Sequence, residues 1–243
     1  MKLASFVVTC NRPQPTLLET LASLRDAGFG GPTLVCEPGT VLPYIPGGHF
    51  AMTSHVHMGP WGALRKAIEI GLGPPLDAEW IVQFQDDIKL AAGTRDWLIS
   101  EIDSGRLDGC GAASLYCNSA HSDEAIAGGE TGWITIPPDD LPRRAYGALA
   151  LVFSAESARM LLADPPNPTQ KIRCDLNVGT FCKLTGRNFL VHCPSLCQHC
   201  GTTSVAHPTG ELNYLRTAKH FVTDVSEIEG WKPKTKQATS TPA

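Results

Sequence analysis

The stretch Trp80-Ile81-Val82-Gln83-Phe84-Gln85-Asp86-Asp87-Ile88 decides the fold expected of this chain. Its apolar, β-rich residues indicate a buried strand, which ends abruptly in two adjacent carboxylates. Open α/β sheets bind their ligands at the carboxyl ends of the strands. Asp86 and Asp87 would therefore offer oxygen ligands to Mg²⁺ or Mn²⁺ at such an edge, although a plain acidic turn after a strand would have the same sequence.

The residues on either side of this strand alternate between strand-like and helix-like patterns. Residues 3–8 and 32–36 are short apolar runs, and a helix is expected between them, opening at Pro15-Thr16 and ending at the glycines from Gly28 onward. This β-α-β start predicts a parallel sheet with right-handed crossovers. Residues 41–58 are rich in Gly, Pro and His, and are predicted to form a loop.

The remaining pattern continues the alternation. Helices are expected from Gly59 to Gly71 and over 97–102, 155–162 (capped by Ser154) and 175–184, with strands over 111–117, 133–136, 148–153 and 189–192. The prediction is one α/β domain over residues 1–231, Rossmann-like, with a central, mostly parallel sheet flanked by helices. The polar residues 232–243 are expected to form a disordered tail.

Composition fits a globular protein with a sizeable core. The chain has 243 residues, of which 42% are hydrophobic and 18% are charged. No apolar run approaches the roughly 20 residues of a membrane span, and residues 1–10 resemble a strand more than a signal peptide. We therefore expect a soluble, cytoplasmic protein. The net charge of −4 gives no general electrostatic reason to expect a nucleic-acid partner.

Nine cysteines is a high number for such a chain. Most lie within apolar runs, which favours buried thiols in a reducing compartment over disulfides. His192, Cys193, Cys197, His199 and Cys200 form a denser cluster, and Cys197-x-x-Cys200 has the spacing of zinc ligands. A structural zinc site is thus one alternative, although alternation along a strand would turn Cys197 and Cys200 to opposite faces.

Several motifs over residues 3–204 support one interpretation when they are taken together. They are Val-Val-Thr-Cys-Asn-Arg-Pro at 7–13, Gly-Pro-Trp-Gly at 59–62 with the following helix, Gln-Asp-Asp at 85–87, Gly-Ala-Leu-Ala-Leu-Val-Phe at 147–153 and Pro-Ser-Leu-Cys-Gln-His-Cys-Gly at 194–201. The set resembles the nucleotide-sugar-dependent glycosyltransferases of the GT-A fold. The set is similar to N-acetylglucosaminyltransferases I and IV, although Gln85 departs from the acid that such families often have there.

This resemblance implies a role for each matching residue. Asp87 would bind the metal directly, Asp86 would support it or contact the ribose, and His199 would be the second protein ligand. Asp175 would be the catalytic base that takes the proton of the acceptor hydroxyl, although an aspartate there also suits a helix N-cap. The nucleotide sugar would be bound by residues of the first half of the domain, namely Thr9, Asn11, Arg12, Glu37, Arg65, Gln85 and Asp86.

The function implied is transfer of a sugar, with inversion, from a nucleotide sugar to a hydroxyl acceptor, with Mn²⁺ or Mg²⁺ as cofactor. A UDP-sugar is the expected donor. Glu37 would either accept a hydrogen bond from uracil or be an exposed acid of the loop after the second strand. Residues from 1 to about 117 would form the nucleotide-sugar half, and residues from about 118 to 231 the acceptor half. Trp133 would either stack on the acceptor or lie in the core.

The acceptor is left open by the sequence. A glycan, a protein, a metabolite or, in a bacteriophage, hydroxymethylpyrimidine in DNA would each suit a compact bacterial or phage enzyme. The alternatives from other classes are a non-catalytic module, which binds sugar nucleotides or is stabilised by zinc, and a nucleotidyltransferase. The latter normally has a glycine-rich loop after its first strand, and residues 9–16 contain no glycine.

Overall fold

The computed structural model describes residues 1–12, 15–45, 48–166, 173–200 and 217–231. In these ranges the strands are β1 Leu3–Thr9, β2 Thr33–Cys36, β3 Ala51–Thr53, β4 Trp80–Gln85, β5 Ile88–Leu90, β6 Ala112–Ser114, β7 Gly132–Ile136, β8 Ala150–Ser154, β9 Phe189–Cys193 and β10 Cys197–His199. The helices are α1 Leu17–Asp26, α2 Gly59–Leu72, α3 Thr94–Asp103, α4 Ser119–Gly128, α5 Ala155–Ala163 and α6 Cys174–Leu184.

Eight of these strands form one sheet, in the order β3-β2-β1-β4-β8-β6-β9-β7. β8 runs antiparallel to both of its neighbours and β7 runs antiparallel to β9, whereas the other six strands point the same way. The fold is therefore α/β with a mostly parallel central sheet flanked by helices, as the sequence predicts. β10 and β5 form a separate antiparallel pair beside the end of β4.

Helices cover both faces of the sheet because successive strand residues point to opposite sides. Val7 of β1 belongs to one core cluster, which α1 and α3 join through residues such as Leu24 and Leu98. Phe6 belongs to the other cluster, which α2, α5 and α6 join. Helices that are apolar along one stripe thus bury that stripe against the sheet, and the result is a three-layer structure.

The position of β1 creates the crevice where a ligand is expected. β1 pairs with β2 on one side and with β4 on the other, and Val8 lies opposite Gln85 at the ends of their strands. The chain leaves β1 through α1 toward β2 and returns later to β4. This reversal of strand order is the point at which open α/β sheets bind ligands, outside the carboxyl ends of the strands.

Four elements differ from the sequence prediction. β3 lies within residues 41–58, which were predicted to be a loop, and β5, β10 and α4 were not predicted. The three strands have only three residues each, too few for an alternating pattern. Helix α4 is rich in small and polar residues, and begins where the side chain of Asn118 accepts the His121 N–H.

Other predictions have mixed outcomes. The side chain of Ser154 accepts the N–H of Ser157, which confirms the predicted cap of α5. Within the described ranges, no helix is long and apolar enough to cross a membrane. The predicted boundaries of the domain and of its halves stay predictions, and residues 232–243 lie outside the described part of the chain.

Candidate functional site at the carboxyl edge of the sheet

Asp86 and Asp87 lie in the turn between β4 and β5, and each is only 2% exposed. Helix α1 holds this turn in place. The Thr16 hydroxyl donates to the carbonyl oxygen of Asp86 at 2.6 Å, and the Thr20 hydroxyl bonds both the N–H and the carbonyl of Ile88, at 3.1 and 3.0 Å. The two carboxylates are therefore mounted on a turn with little freedom to move.

Thr16, the N-cap residue of α1, forms a hydroxyl stripe with Thr20 and Ser23 of the helix, and sequence reasoning missed this stripe. The Ser23 hydroxyl accepts the N–H of Leu90 at 2.6 Å and donates to its carbonyl at 3.3 Å, as Thr20 does one turn earlier for Ile88. Their spacing of four and three residues places the hydroxyls on one helix face. That spacing, on a helix whose other buried residues are leucines, was the available signal.

Arg12 brings its guanidinium onto both aspartates. Its Nε and Nη2 lie 2.7 and 2.6 Å from Oδ1 of Asp86, and its Nη1 lies 2.8 Å from Oδ2 of Asp87. The other oxygen of Asp86 accepts the Thr9 hydroxyl at 2.6 Å and, more weakly, the Cys10 N–H at 3.4 Å. Four predicted site residues, Thr9, Arg12, Asp86 and Asp87, are thus in direct contact.

His199 reaches the same place from the far end of the chain. It lies opposite Ile88 in the antiparallel pair formed by β10 and β5, and the N–H of Cys200 donates to the Asp87 carbonyl at 2.8 Å. Its Nε2 lies 3.1 Å from Oδ2 of Asp87, and both side chains are 3% exposed. The structure therefore places His199 beside the aspartate with which the sequence paired it.

The surroundings keep Asp87 and Arg12 ionised. Burial alone would raise the pKa of Asp87, but the hydrogen bond from His199 and the charge of Arg12 outweigh it and lower that pKa. Burial also disfavours a charged guanidinium, yet the two nearby aspartates raise the pKa of Arg12. A carboxylate that stays charged in a buried place is suited to bind a cation.

The pair formed by Asp87 and His199 fits a divalent cation in two respects. Oδ1 of Asp87 is buried and has no hydrogen-bond partner among the residues described. Adjacent ligands each about 2.1 Å from a six-coordinate ion lie about 3.0 Å apart, close to the 3.1 Å between Oδ2 and Nε2. These two residues would occupy two coordination positions of the ion and leave the other positions to phosphate and water oxygens.

A larger protein cage is not present in the part of the chain described. No group of three or more His, Cys, Asp or Glu side chains is arranged there to hold a metal. Cys193 belongs to one core cluster and Cys197 to the other, on opposite faces of the sheet. The Cys/His cluster considered as a zinc site therefore does not converge within the described residues.

Glu37 presents an acceptor at the end of β2. Its N–H donates to the carbonyl of Thr9 at 3.0 Å, which ties it to the end of β1. Its Oε2 lies 2.9 Å both from the Met58 N–H and from Nδ1 of His57. Its Oε1 is buried without a hydrogen-bond partner in the described ranges, and so could accept from a ligand N–H.

Asn11 uses its side chain inside the protein. Its amide nitrogen donates to the carbonyl of Gly39 at 2.7 Å, and its amide oxygen accepts the N–H of Val41 at 2.9 Å. The residue thereby joins the loop after β1 to the loop after β2. Its predicted role in binding the nucleotide would act through the shape of these loops.

Arg65 and Gln85 complete the predicted nucleotide-binding set. Arg65 lies on α2, one turn after Trp61, and the Nε of Arg65 and the Nε1 of Trp61 are both buried without a hydrogen-bond partner among the described residues. Gln85 is the last residue of β4, and its N–H donates to the carbonyl of Leu149 at 2.9 Å. Gln85 therefore contributes to joining the end of β4 to the residues that lead into β8.

Asp175 lies in the first turn of α6, where Arg173 is the N-cap residue. Gly179 of α6 packs closely against Ala145 and Pro142, since a Cβ there would meet both residues. These two residues precede β8, which begins opposite the end of β4. Asp175 is thus at the same edge of the sheet as Asp86 and Asp87. Its Oδ1 accepts from the Leu176 N–H at 3.0 Å and from Arg173 at 3.4 Å, neither of which belongs to the Asp87 cluster.

Trp133 lies away from this cluster. It is on β7, at the end of the sheet and four strands from β4, a separation of about 19 Å. Its ring packs against Trp97 and His192 at centroid distances of 5.8 and 5.1 Å, and its Nε1 donates to Glu101 at 2.9 Å. Of the two predicted roles, this packing supports the one in the core.

Comparison with known proteins adds no relative to this description. No protein-family model matches the chain, and no curated protein matches its sequence. The functional conclusion therefore depends on the residues that meet at the carboxyl ends of β1, β2 and β4.

Proposed function

We propose that this protein is a metal-dependent glycosyltransferase of the GT-A type, which moves a sugar from a nucleotide sugar to a hydroxyl acceptor. One observation carries the proposal. Asp87 and His199 come from distant parts of the chain and meet 3.1 Å apart at the strand-order reversal, beside the guanidinium of Arg12. A carboxylate and an imidazole next to a fixed positive charge suit a diphosphate held by a divalent cation.

The donor would lie across the ends of β1, β2 and β4. The Oε1 of Glu37, unpartnered among the described residues, would accept an N–H from the base, which favours uracil and thus a UDP-sugar as donor. Thr9 and Asp86 lie between Glu37 and Asp87, the place expected for the ribose. Arg12 and Arg65 would supply positive charge toward the diphosphate.

The chemical step requires charge on the leaving diphosphate to be stabilised. A divalent cation bound by Asp87 and His199 would neutralise that charge as the bond to the sugar breaks. Arg12 would stabilise the same oxygens, and Asp86 would orient Arg12 through its contacts with Nε and Nη2. Thr9 would in turn keep Asp86 oriented.

Asp175 would act on the acceptor. As the acceptor oxygen bonds to the anomeric carbon and the bond to the diphosphate breaks, the hydroxyl proton would pass to the carboxylate of Asp175. A separate base on the acceptor side favours inversion at that carbon. The position of α6 at the active edge supports this role, while the class of acceptor and the cytoplasmic location stay predictions.

Thermal unfolding with nucleotides tests the donor site. The protein would be melted with UDP, GDP, CDP and ADP, each with and without Mn²⁺, beside Asp87→Asn and the matched control Asp96→Asn on the exposed surface of α3. A ligand at 100 times its Kd adds about 2.7 kcal/mol to stability. We expect the largest shift with UDP and Mn²⁺, retained in Asp96→Asn and lost in Asp87→Asn. No shift with any nucleotide would refute the proposal.

A turnover measurement separates an enzyme from a module that only binds. Slow release of UDP from UDP-sugars in the presence of Mn²⁺ can be followed without knowledge of the acceptor, because water replaces it. We expect release in the wild-type protein and none in Asp87→Asn. Binding of UDP and Mn²⁺ without release from any UDP-sugar would favour the non-catalytic alternative.

A further inference from the structure

Arg12 contacts the oxygen of Asp87 that faces His199, so it competes with any cation that these two residues would bind through that oxygen. Its Nη1 lies 2.8 Å from Oδ2 of Asp87, the same oxygen that lies 3.1 Å from Nε2 of His199. The side chains of Asp87 and His199 are 3% exposed and that of Arg12 is 12% exposed, so solvent screens these charges only weakly. A divalent cation that bridges Oδ2 and Nε2 would repel the guanidinium beside the same oxygen.

The balance of charge shows when Arg12 would favour leaving Asp87 for another anion. Asp86 and Asp87 carry two negative charges, and Arg12 neutralises one of them at the site. Adding a divalent cation alone would leave a net positive charge in a buried place, where unpaired charge is costly. Adding a nucleoside diphosphate at the same time removes the excess and offers Arg12 a second anionic partner.

The contacts of Arg12 allow it to change partner without leaving its place. Nε and Nη2 are held by Asp86, at 2.7 and 2.6 Å, and only Nη1 reaches Asp87. Asp86 is in turn fixed by the Thr9 hydroxyl. A rotation about this anchor would break one ion pair, that of Nη1 with Asp87, and keep both contacts with Asp86.

We infer that Arg12 couples metal binding to nucleotide binding by exchanging Asp87 for phosphate. Arg12 neutralises Asp87 in the absence of nucleotide, and it moves to the diphosphate when the cation takes the carboxylate. The inference rests on the proposed function and concerns the same site. It requires that Mn²⁺ alone binds weakly, and that a nucleoside diphosphate and Mn²⁺ each strengthen the binding of the other by the same factor.

Binding of Mn²⁺ to the full chain tests this directly, without any turnover. Free Mn²⁺ would be measured by electron paramagnetic resonance, with and without UDP, for the wild type, Arg12→Met and Arg12→Gln. Both variants remove the charge, and the glutamine amide can still donate to Asp86 if the methionine variant fails to fold. Arg95→Met, which removes an exposed ion pair with Asp96, is the matched control.

Two changes of opposite sign are expected in the Arg12 variants. Mn²⁺ alone should bind at least about tenfold more tightly than to the wild type, and UDP with Mn²⁺ should bind at least about tenfold more weakly, within the usual range of coupling between two sites. The control should match the wild type in both measurements.

The possible failures are distinguishable. If the wild type binds UDP with Mn²⁺ but the Arg12 variants bind Mn²⁺ alone no more tightly, or bind UDP unchanged, the exchange is wrong and the proposed function stands. If the wild type binds neither UDP nor any other nucleoside diphosphate with Mn²⁺, the proposed function fails and the exchange fails with it.

Discussion

Single side chains at the carboxyl edge of the sheet serve two purposes at once. Arg12 pairs with two buried aspartates at once, and Thr20 bonds both the N–H and the carbonyl of Ile88, in a strand that has a partner on only one side. Such groups cost stability when one partner is removed, because a buried polar atom then has no replacement for water.

The Thr20 hydroxyl provides the first prediction. Thr20→Val keeps the shape of the side chain but removes both hydrogen bonds to Ile88, so the free energy of unfolding should fall by about 1–3 kcal/mol. Urea denaturation measures the change. Thr135→Val, at an exposed position of β7, is the matched control and should be close to neutral; equal effects at both positions would show that the hydroxyl of Thr20 is unimportant.

Gly147 provides the second prediction, at the start of the residues that lead into β8. Its φ is +80°, and a Cβ there would lie 2.3 Å from Cδ1 of Tyr116. Gly147→Ala should therefore destabilise the protein by about 2–5 kcal/mol, from backbone strain and overpacking together. Gly39→Ala, with φ of +72° and nothing within 4 Å, should cost only the strain, about 1 kcal/mol. Similar melting temperatures for the two variants would contradict this account.

At the scale of elements, the short strands β5 and β10 bring His199 next to Asp87. β5 receives hydrogen bonds from the hydroxyl stripe of α1 on one side and from β10 on the other, and β10 carries His199 to Asp87. β10 is also stabilised by Ala218, because the side-chain amide of Gln198 bonds both the N–H and the carbonyl of Ala218, at 2.7 and 3.2 Å.

The hydrogen bonds between Gln198 and Ala218 lead to the third prediction. Gln198→Ala removes both bonds to Ala218, so it should lower the free energy of unfolding by about 1–2 kcal/mol and weaken the binding of Mn²⁺ with UDP, because His199 is less firmly placed. Lys89→Ala, opposite Gln198 in the same strand pair but exposed, is the control. If Gln198→Ala is destabilised but binds Mn²⁺ with UDP as tightly as the wild type, the hold on β10 does not matter for the role of His199.

At the scale of the whole molecule, the packed layers enclose titratable groups that the site does not use. His192 is 2% exposed and packs edge-on against the stacked rings of Trp97 and Trp133. Burial, with a smaller contribution from the charge of Arg106, lowers the pKa of His192 to about 4. Burial likewise lowers the pKa of His121 to about 4.

These histidines predict the response of the fold to acid. An unfolded histidine has a pKa of about 6.5. Between pH 6.5 and 4, His192 therefore binds a proton in the unfolded chain but stays neutral in the folded chain. His192 should therefore leave stability unchanged above pH 6.5 and lower it by about 3 kcal/mol as the pH falls to 4. In denaturation series across this range, His192→Gln should show a shallower loss than the wild type. The exposed His55→Gln is the control. If the free energy of unfolding of His192→Gln falls with pH as steeply as that of the wild type, His192 does not cause the loss.

Much of the site follows from local sequence, and part of it does not. The Asp-Asp pair at the end of an apolar run predicts its place at the sheet edge, and Thr9 and Arg12 follow β1 in the same way. No local pattern shows that Arg12 pairs with the aspartates rather than facing the crevice. Asn11 likewise belongs to the right loop, but its hydrogen bonds with Gly39 and Val41 depend on where a second loop lies.

The α/β class, the longer strands and helices and the carboxylates of β4 can be predicted from local sequence, because burial imposes periods of two and 3.6 residues along the chain. The pairing of β5 with β10, the support from the hydroxyl stripe and the meeting of Arg12, Asp87 and His199 are visible only in the folded chain. Three-residue strands are too short to carry a period. Contacts between residues far apart in the chain form only where the packing of both faces of the sheet brings them together.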